Sequence, residues 1–305
     1  MIIPPYLTPG DTVALAAPAR KISQAEILPS EKWLKSVGFN VFYDDRLFAE
    51  DHQFAGSNEH RASYFQELLN NDEIKAIWCV RGGYGSGRII DQLDFTHFRQ
   101  HPKWICGYSD ITVFHNHIQQ NDQIATLHAT MPINVTEENR QSPACQSFLD
   151  ALTGKNLSYG IAPHPLTRAR EFSGILTGGN LSMLYSLIGS PSDIDTSGKV
   201  LFIEDLDEYL YHIDRMVLNL KRSGKLDNIK AMLVGHLSDM HDNSVPFGKT
   251  AEEIVADYCR DLDIPVIFNI PAGHLPDNRA LRMGCKIEGV FKDNQFIINS
   301  LNHEL

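Results

Sequence analysis

Apolar residues along this 305-residue chain follow two alternating rhythms. Short unbroken apolar runs bounded by Gly, Pro or polar residues predict buried strands over 11–17, 39–43, 76–80 and 104–108. Between them, apolar residues recur every three or four positions. Ile27, Leu28 and Leu34 fall on related faces of a helix predicted over 24–37, with Gly38 as its stop. A second helix is predicted over 58–69, capped by Ser57 or Asn58. Residues 88–93 fall in a third and 111–120 in a fourth. Strands that alternate with helices are covered on both faces, so the first half is predicted to be α/β, with an open, mostly parallel sheet flanked by helices.

The pattern changes over about 150–170, where Thr153-Gly154-Lys155-Asn156, Pro163, Pro165 and Arg168-Ala169-Arg170-Glu171 read as a connection. Beyond it the rhythm resumes, with strands predicted over 199–203, 231–234 and 264–268, helices over 211–222 and 251–259, and a terminal hairpin of 285–290 with 295–298. The expected organisation is an N-terminal α/β domain at 1–152, a linker at 153–171 and a smaller C-terminal α/β domain at 172–305. The chain length also favours two domains.

Composition narrows the partners. A formal net charge of -11 argues against nucleic acid and anionic membrane, which both need a basic face. Hydrophobic content of 43% is ordinary for a globular chain, and no apolar run approaches a membrane span. Met1-Ile2-Ile3-Pro4-Pro5-Tyr6 has neither a basic segment nor a long apolar one, so no secretory signal is expected there. Five cysteines without a CxxC pair read as reduced, mostly buried thiols of a cytoplasmic protein, Cys106 among them as core. His115 and His117 are two apart on a predicted helix and face differently. With no CxxC or HExxH spacing, neither a metal nor a cofactor is expected.

Four segments carry candidate chemistry. Ser109, in Gly107-Tyr108-Ser109-Asp110, stands between a buried strand and a helix, at the sheet edge where ligands bind. The amide of Asp110 would reach the same space from a helix start. This is half of a GxSxG elbow, since Ile111 takes the second glycine's place; an ordinary helix-capping serine is the other reading. Arg81-Gly82-Gly83-Tyr84-Gly85-Ser86-Gly87-Arg88 follows another strand and reads as a phosphate loop, an oxyanion donor or a tight turn. Glu204 and Asp205 end an apolar strand, where a carboxylate orients an imidazole or caps a helix. His274 sits in the Pro/Gly-shaped loop Asn269-Ile270-Pro271-Ala272-Gly273-His274, as a base or a structural histidine.

Together these segments resemble the LD-carboxypeptidase family, the muramoyltetrapeptide carboxypeptidases. The resemblance runs almost end to end, through Leu7-Thr8-Pro9-Gly10-Asp11, Ala17-Pro18-Ala19, Phe54-Ala55-Gly56-Ser57, Arg81 to Gly85, Gly107 to Asp110, Gly178-Gly179-Asn180-Leu181, Phe202 to Asp205 with Ile213-Asp214-Arg215, and Gly273-His274. It implies a serine carboxypeptidase with Ser109 as nucleophile, Glu204 as acid and His274 as base. It also implies an oxyanion hole from the amides of Gly83 and Asp110. The implied substrate is a murein tetrapeptide, cleaved before its terminal D-alanine in cell-wall recycling, and the implied assembly is a homodimer. Arg81, Tyr84 and Asn180 are the expected substrate contacts, with Arg81, Arg88 or Arg215 for the free carboxylate. His128-Ala129-Thr130-Met131-Pro132 departs from the family's His-Gly-Pro-type stretch, which puts fine substrate selectivity in doubt. The alternatives are a related immunity peptidase that cleaves peptide-nucleotide antibiotics of the microcin C type, and a non-catalytic peptide-binding protein. A triad split between the two halves implies a site between domains, with each half inactive alone.

Overall fold

A computed structural model of the chain describes residues 1–293 and 295–300 and contains two sheets. In the first, β1 (Thr12–Ala16), β2 (Asn40–Phe42), β3 (Ile74–Cys79), β4 (Trp104–Gly107) and β5 (Thr126–His128) lie parallel. A late strand, β11 (Leu281–Met283), joins antiparallel to β5, giving the order β11-β5-β4-β3-β1-β2. The helices α1 (Gln24–Ser36), α2 (Asn58–Asn70), α3 (Thr96–Gln100), α4 (Thr112–Asn121) and α5 (Pro143–Leu152) accompany this sheet. The strands are apolar on both faces because helices cover both, as β4 shows by burying all four residues.

The second sheet runs β10-β9-β8-β7-β12-β13-β6. Its parallel half is β7 (Phe172–Asn180), β8 (Val200–Leu206), β9 (Ala231–Ser238) and β10 (Val266–Ile267). Its antiparallel half is β12 (Lys286–Lys292), β13 (Gln295–Ser300) and β6 (Leu157–Gly160). Helices α6 (Leu181–Leu187), α7 (Leu210–Arg222) and α8 (Ala251–Cys259) accompany it. The stretch expected as a linker at 153–171 therefore holds an edge strand, paired to the terminal hairpin. Alternation within Leu157–Gly160 buries Leu157 and Tyr159 and exposes the residues between. The third helix expected over 88–93 is two 3-10 turns, Ser86–Arg88 and Ile90–Gln92, since the glycines just before it supply no helical first turn. Residues 301–305 of the expected C-terminal unit lie outside the described residues.

One apolar cluster spans both sheets. It joins Trp78, Phe114 and Phe148 of the first half to Phe202, Leu233 and Ile270 of the second. A second cluster fills the other face of the parallel strands under α6, α7 and α8. Polar contacts reinforce the junction. Gln119 Nε2 donates to Leu176 O, Thr177 Oγ1 donates to Gln119 Oε1, and Asn180 N donates to Thr112 Oγ1 at 3.0 Å. Helix α4 thus lies on the end of β7. A Cβ on Gly179 would stand 2.6 Å from Thr112 Oγ1, which explains a glycine there.

Candidate active site

In a parallel sheet the carboxyl ends of the strands share one edge, and loops leaving that edge meet. Here the loops after β1, β3, β4 and β5 contribute Arg20, Arg81 to Gly83, Ser109 and Met131. The end of β8 contributes Leu206, Asp207 and Glu208, and the loop after β10 contributes His274. These residues line one cleft of about 430 Å³. A larger cavity of about 520 Å³ lies elsewhere, lined by Leu166, Arg168, Lys249, Asp257 and others, and contains no such set of nucleophile and base.

Ser109 has φ 64, a left-handed backbone that costs a non-glycine residue about 1–2 kcal/mol. One residue, Tyr108, separates it from the end of β4, and it opens a short 3-10 turn, Ser109–Ile111, that leads into α4. Such strain at the junction of strand and helix is the geometry of a nucleophile elbow. The half-matched motif has a local explanation. Gly107 is at φ 153, and a Cβ there would meet Ile111 Cγ1 at 2.9 Å. The isoleucine that replaces the motif's second glycine thus fills the space above the first. Ser109 is no ordinary helix cap either, since α4 begins at Thr112 and its N-cap makes no side-chain bond.

The glycine loop lies against the serine. A Cβ on Gly82 would stand 2.9 Å from Ser109 Cβ, 3.1 Å from its Oγ and 3.4 Å from Asp110 N. Gly83, at φ 101, packs under Arg20, whose Cδ would be 2.5 Å from an added Cβ. The Asp110 side chain points away from the cleft and accepts from Ser86 N at 2.8 Å, so it braces the glycine loop against the elbow. Burial raises the Asp110 pKa, and the hydrogen bonds from Ser86 and Gly85 oppose that rise.

His274 Nδ1 lies 2.7 Å from Glu204 Oε2. Glu204 is fully buried, and its Oε1 has no hydrogen-bond partner among the described residues. Burial by itself would lower the His274 pKa; the charge of Glu204 and its hydrogen bond outweigh that and hold the imidazole above its ordinary value. Asp205 faces the other side of β8. It accepts from Asn180 Nδ2, Ser182 N and Leu206 N, each at 2.9 Å. Burial and the adjacent Glu204 charge push its pKa up to about 7. The Tyr108 ring packs 4.8 Å from the His274 ring. Behind the histidine loop, Asn278 Oδ1 accepts from Gly273 N and contacts buried His128 Nε2 at 3.3 Å. Burial pushes the His128 pKa well down, so this ring is neutral.

The structure thus brings Ser109, Gly83, Arg81, Glu204 and His274 to one place. Glu204 stands behind His274, away from the cleft surface. No hydrogen bond links Ser109 to His274 among the described residues, although both line the same cleft, a looseness common in free enzymes. Other candidates fall elsewhere. Asn180 is buried; it caps α6 by accepting from Met183 N and donates to Asp205. Tyr84 is half-exposed, with its ring 6.1 Å from that of Phe54. Arg88 stacks over Phe54 and Arg215 over Tyr211. Arg81 lines the cleft, 3.7 Å from Glu26. Sequence reasoning missed Arg20, Asp207 and Glu208. Their signal was position, each falling just past the carboxyl end of a strand. In the departing segment, Met131 lines the main cleft and Thr130 a second cavity of about 290 Å³, which shares Tyr108 and His274 with it.

Comparison with known proteins finds relatives over nearly the whole chain. Residues 13–129 match the LD-carboxypeptidase N-terminal domain, and residues 173–288 match the LD-carboxypeptidase C-terminal domain. A Bacillus subtilis (strain 168) protein named "Probable murein peptide carboxypeptidase" is 35% identical over 93% of this chain and 90% of its own. The crystal structure of a muramoyltetrapeptide carboxypeptidase from Oxalobacter formigenes superposes with a TM-score of 0.86 at 27% identity, over 96% of this chain and 100% of that one. The microcin C7 self-immunity protein MccF also superposes with a TM-score of 0.86, over 100% of this chain and 99% of its own. Its 22% identity makes that a likeness of fold.

Proposed function

This chain belongs to the LD-carboxypeptidase family and is a carboxypeptidase, and from that premise we propose that it hydrolyses the bond before the terminal D-alanine of murein tetrapeptides through an acyl-enzyme on Ser109. The observation that carries the mechanism is the strained Ser109 facing the same cleft as a histidine held by a buried carboxylate.

Glu204 fixes the tautomer of His274 that carries its proton on Nδ1, leaving Nε2 free to accept. His274 takes the Ser109 proton as Oγ attacks the carbonyl that precedes the D-alanine. The oxyanion forms beside the Gly83 and Asp110 amides, where each donor is worth about 3–4 kcal/mol. The imidazolium, stabilised by the Glu204 charge, then protonates the leaving amine, and D-alanine departs. Water activated by the same histidine hydrolyses the ester and regenerates Ser109. Arg20 and Arg81, the two guanidinium groups of the cleft lining, are suited to the free carboxylate of the substrate.

The proposal extends to a cytoplasmic homodimer acting in cell-wall recycling. Five buried cysteines, all free, suit a reducing compartment, and no described helix is long and apolar enough to cross a membrane. The dimer rests on resemblance to the family.

Incubation with tetrapeptides ending in D-Ala or L-Ala, followed by mass detection of the released amino acid, tests this reading. D-Ala is expected from the first alone, and Ser109→Ala should release none. Release of neither amino acid, or full activity in the variant, overturns it. One observation keeps a second reading. Tyr209 and Tyr211, which directly follow the cleft residues Asp207 and Glu208, are exposed, with rings 5.6 Å apart, and offer a stacking surface for a nucleobase. Cleavage of an aminoacyl-adenylate analogue in preference to tetrapeptide would favour hydrolysis of peptide-nucleotide antibiotics.

A further inference from the structure

Away from the cleft, three side chains converge on the surface between α3 and the turn joining α2 to β3. Asp72 comes from that turn, His97 from α3, and His101 from the residue that ends it. His101 N still donates to His97 O at 3.0 Å, so the two histidines keep the spacing of one helical turn and project side by side. Their rings stack at 4.6 Å with planes 23° apart. Both turn a nitrogen toward the same carboxylate oxygen. Asp72 Oδ1 is 2.8 Å from His97 Nε2 and 3.7 Å from His101 Nδ1. One ligand atom from each of the three residues lies within 4.8 Å of the others.

We propose that Asp72, His97 and His101 form a binding site for a divalent transition-metal ion, zinc in the first instance, that clamps α3 to the α2–β3 turn. Two imidazole nitrogens and one carboxylate oxygen are donors that zinc favours and that magnesium or calcium do not. Ligand atoms about 2.1 Å from a tetrahedral zinc lie about 3.4 Å from one another. The two separations from Asp72 bracket that value, so small side-chain rotations bring the set into place. The metal would replace the direct contact between His97 Nε2 and Asp72 Oδ1, and a fourth position stays open to water.

The backbone beneath is already rigid. Phe98, in the middle of α3, is fully buried. Gln66 of α2 brackets the residues before α3, donating to Asp94 O at 2.9 Å and accepting from Asp94 N at 2.7 Å. Two ammonium groups lie nearby, and both are turned to backbone: Lys103 to the carbonyls of Leu68 and Asn71, and Lys75 to the carbonyl of Asp72 at 2.7 Å. A binding site whose ligands are held in advance loses little on binding. None of the three residues lines the catalytic cleft, so this clamp is independent of the hydrolytic reading.

Zinc titration of the chelator-treated, dialysed protein against a chromophoric competitor tests the site. Three proteins are compared: wild type, His101→Ala, and His97→Ala/His101→Ala. Wild type should bind one more equivalent than the double variant and gain thermal stability with zinc. His101→Ala keeps the 2.8 Å contact between Asp72 and His97. It should melt like wild type without zinc yet bind the ion at least about tenfold more weakly. Equal zinc binding by wild type and the double variant overturns the proposal, as does no binding by wild type at micromolar zinc. The three side chains are at the surface, so the variants should fold.

Discussion

Replacing Glu204 by Gln separates what the triad carboxylate does by shape from what it does by charge. The side chain is fully buried, and Gln matches its volume. Its carbonyl oxygen can still accept from His274 Nδ1 at the present 2.7 Å. A hydrogen bond to a charged group is worth about 1.5–3 kcal/mol and a neutral one about 0.5–1.5. The difference of about 1–1.5 kcal/mol appears when the imidazole becomes imidazolium, and costs about tenfold in kcat. A larger loss comes from the amide nitrogen. In place of Oε1 it would be buried where no partner exists among the described residues. Flipping the amide gives that nitrogen a partner in His274 Nδ1, and the ring must then carry its proton on Nε2, where it cannot accept from Ser109. The combined loss should be about 10²–10⁴-fold in kcat, with KM little changed.

The same variant has a pH signature. Glu204 now outweighs burial and holds the His274 pKa above the ordinary value of about 6.5, so the rising limb of kcat/KM should lie above that pH. Without the charge, burial prevails and the limb should move to lower pH. Stability runs the other way. A histidine whose folded pKa is raised contributes stability that is full below about pH 6.5 and is lost as pH rises through the folded pKa. The thermal deficit of Glu204→Gln should therefore be larger in acid than in alkali. The assay is D-alanine release from tetrapeptide between about pH 5 and 9, with melting curves alongside. A kcat within about threefold of wild type, a loss confined to KM, or an unmoved limb would refute the reasoning.

Substitutions at three positions probe the frame around the serine. Ser109→Gly and Ser109→Ala should both be inactive, but the glycine variant should be the more stable by about 0.5–1 kcal/mol, since it relieves the left-handed strain at some cost in unfolded-state entropy; equal urea midpoints would mean that Ser109 is unstrained. Gly82→Ala should lower kcat by about 10²-fold with little change in Tm, because the new methyl falls 2.9 Å from Ser109 Cβ while its backbone is not left-handed; wild-type kcat would show that the nucleophile tolerates displacement. Asn180→Ala should cost about 1–3 kcal/mol, from a lost helix cap and one of the three hydrogen bonds to buried Asp205, with KM unchanged; a raised KM with normal stability would make Asn180 a substrate contact instead.

Most parallel strands were legible because buried parallel strands are uninterrupted apolar runs, as at Thr12–Ala16 and Trp104–Gly107, but the three-residue β5 and the glycine-interrupted β7 were not. Ser109, Glu204 and His274 shared a signal, each closing such a run or the loop after one. What was not legible is non-local. Leu157–Gly160 and Leu281–Met283 are short, and their strand character comes from partners more than 100 residues away along the chain. Asn180 was expected as a substrate contact only through the family resemblance; the structure buries it, with its amide donating to Thr112 at the start of α4. His97 and His101 have the i, i+4 spacing of a metal-binding pair but lack the glutamate of HExxH, and Asp72, 25 residues before His97, meets them only in the fold.

The expectation of a site between two units is sharpened by how those units meet. Ser109 leads into α4 within three residues, and Thr112 at the start of α4 accepts from the amide of Asn180. Asn180 stands opposite Glu204 in the parallel register of β7 and β8, and its side chain holds Asp205. Nucleophile and carboxylate are thus connected by one hydrogen bond across the junction and one pair in a ladder. The approach depends on Gly179, where any side chain would push α4 away. A junction built on a shared apolar core and buried hydrogen bonds opposes hinge motion, since opening it would expose both. On the proposed mechanism, the geometry of Ser109, Glu204 and His274 is set when the two sheets dock, and each half expressed alone should be inactive.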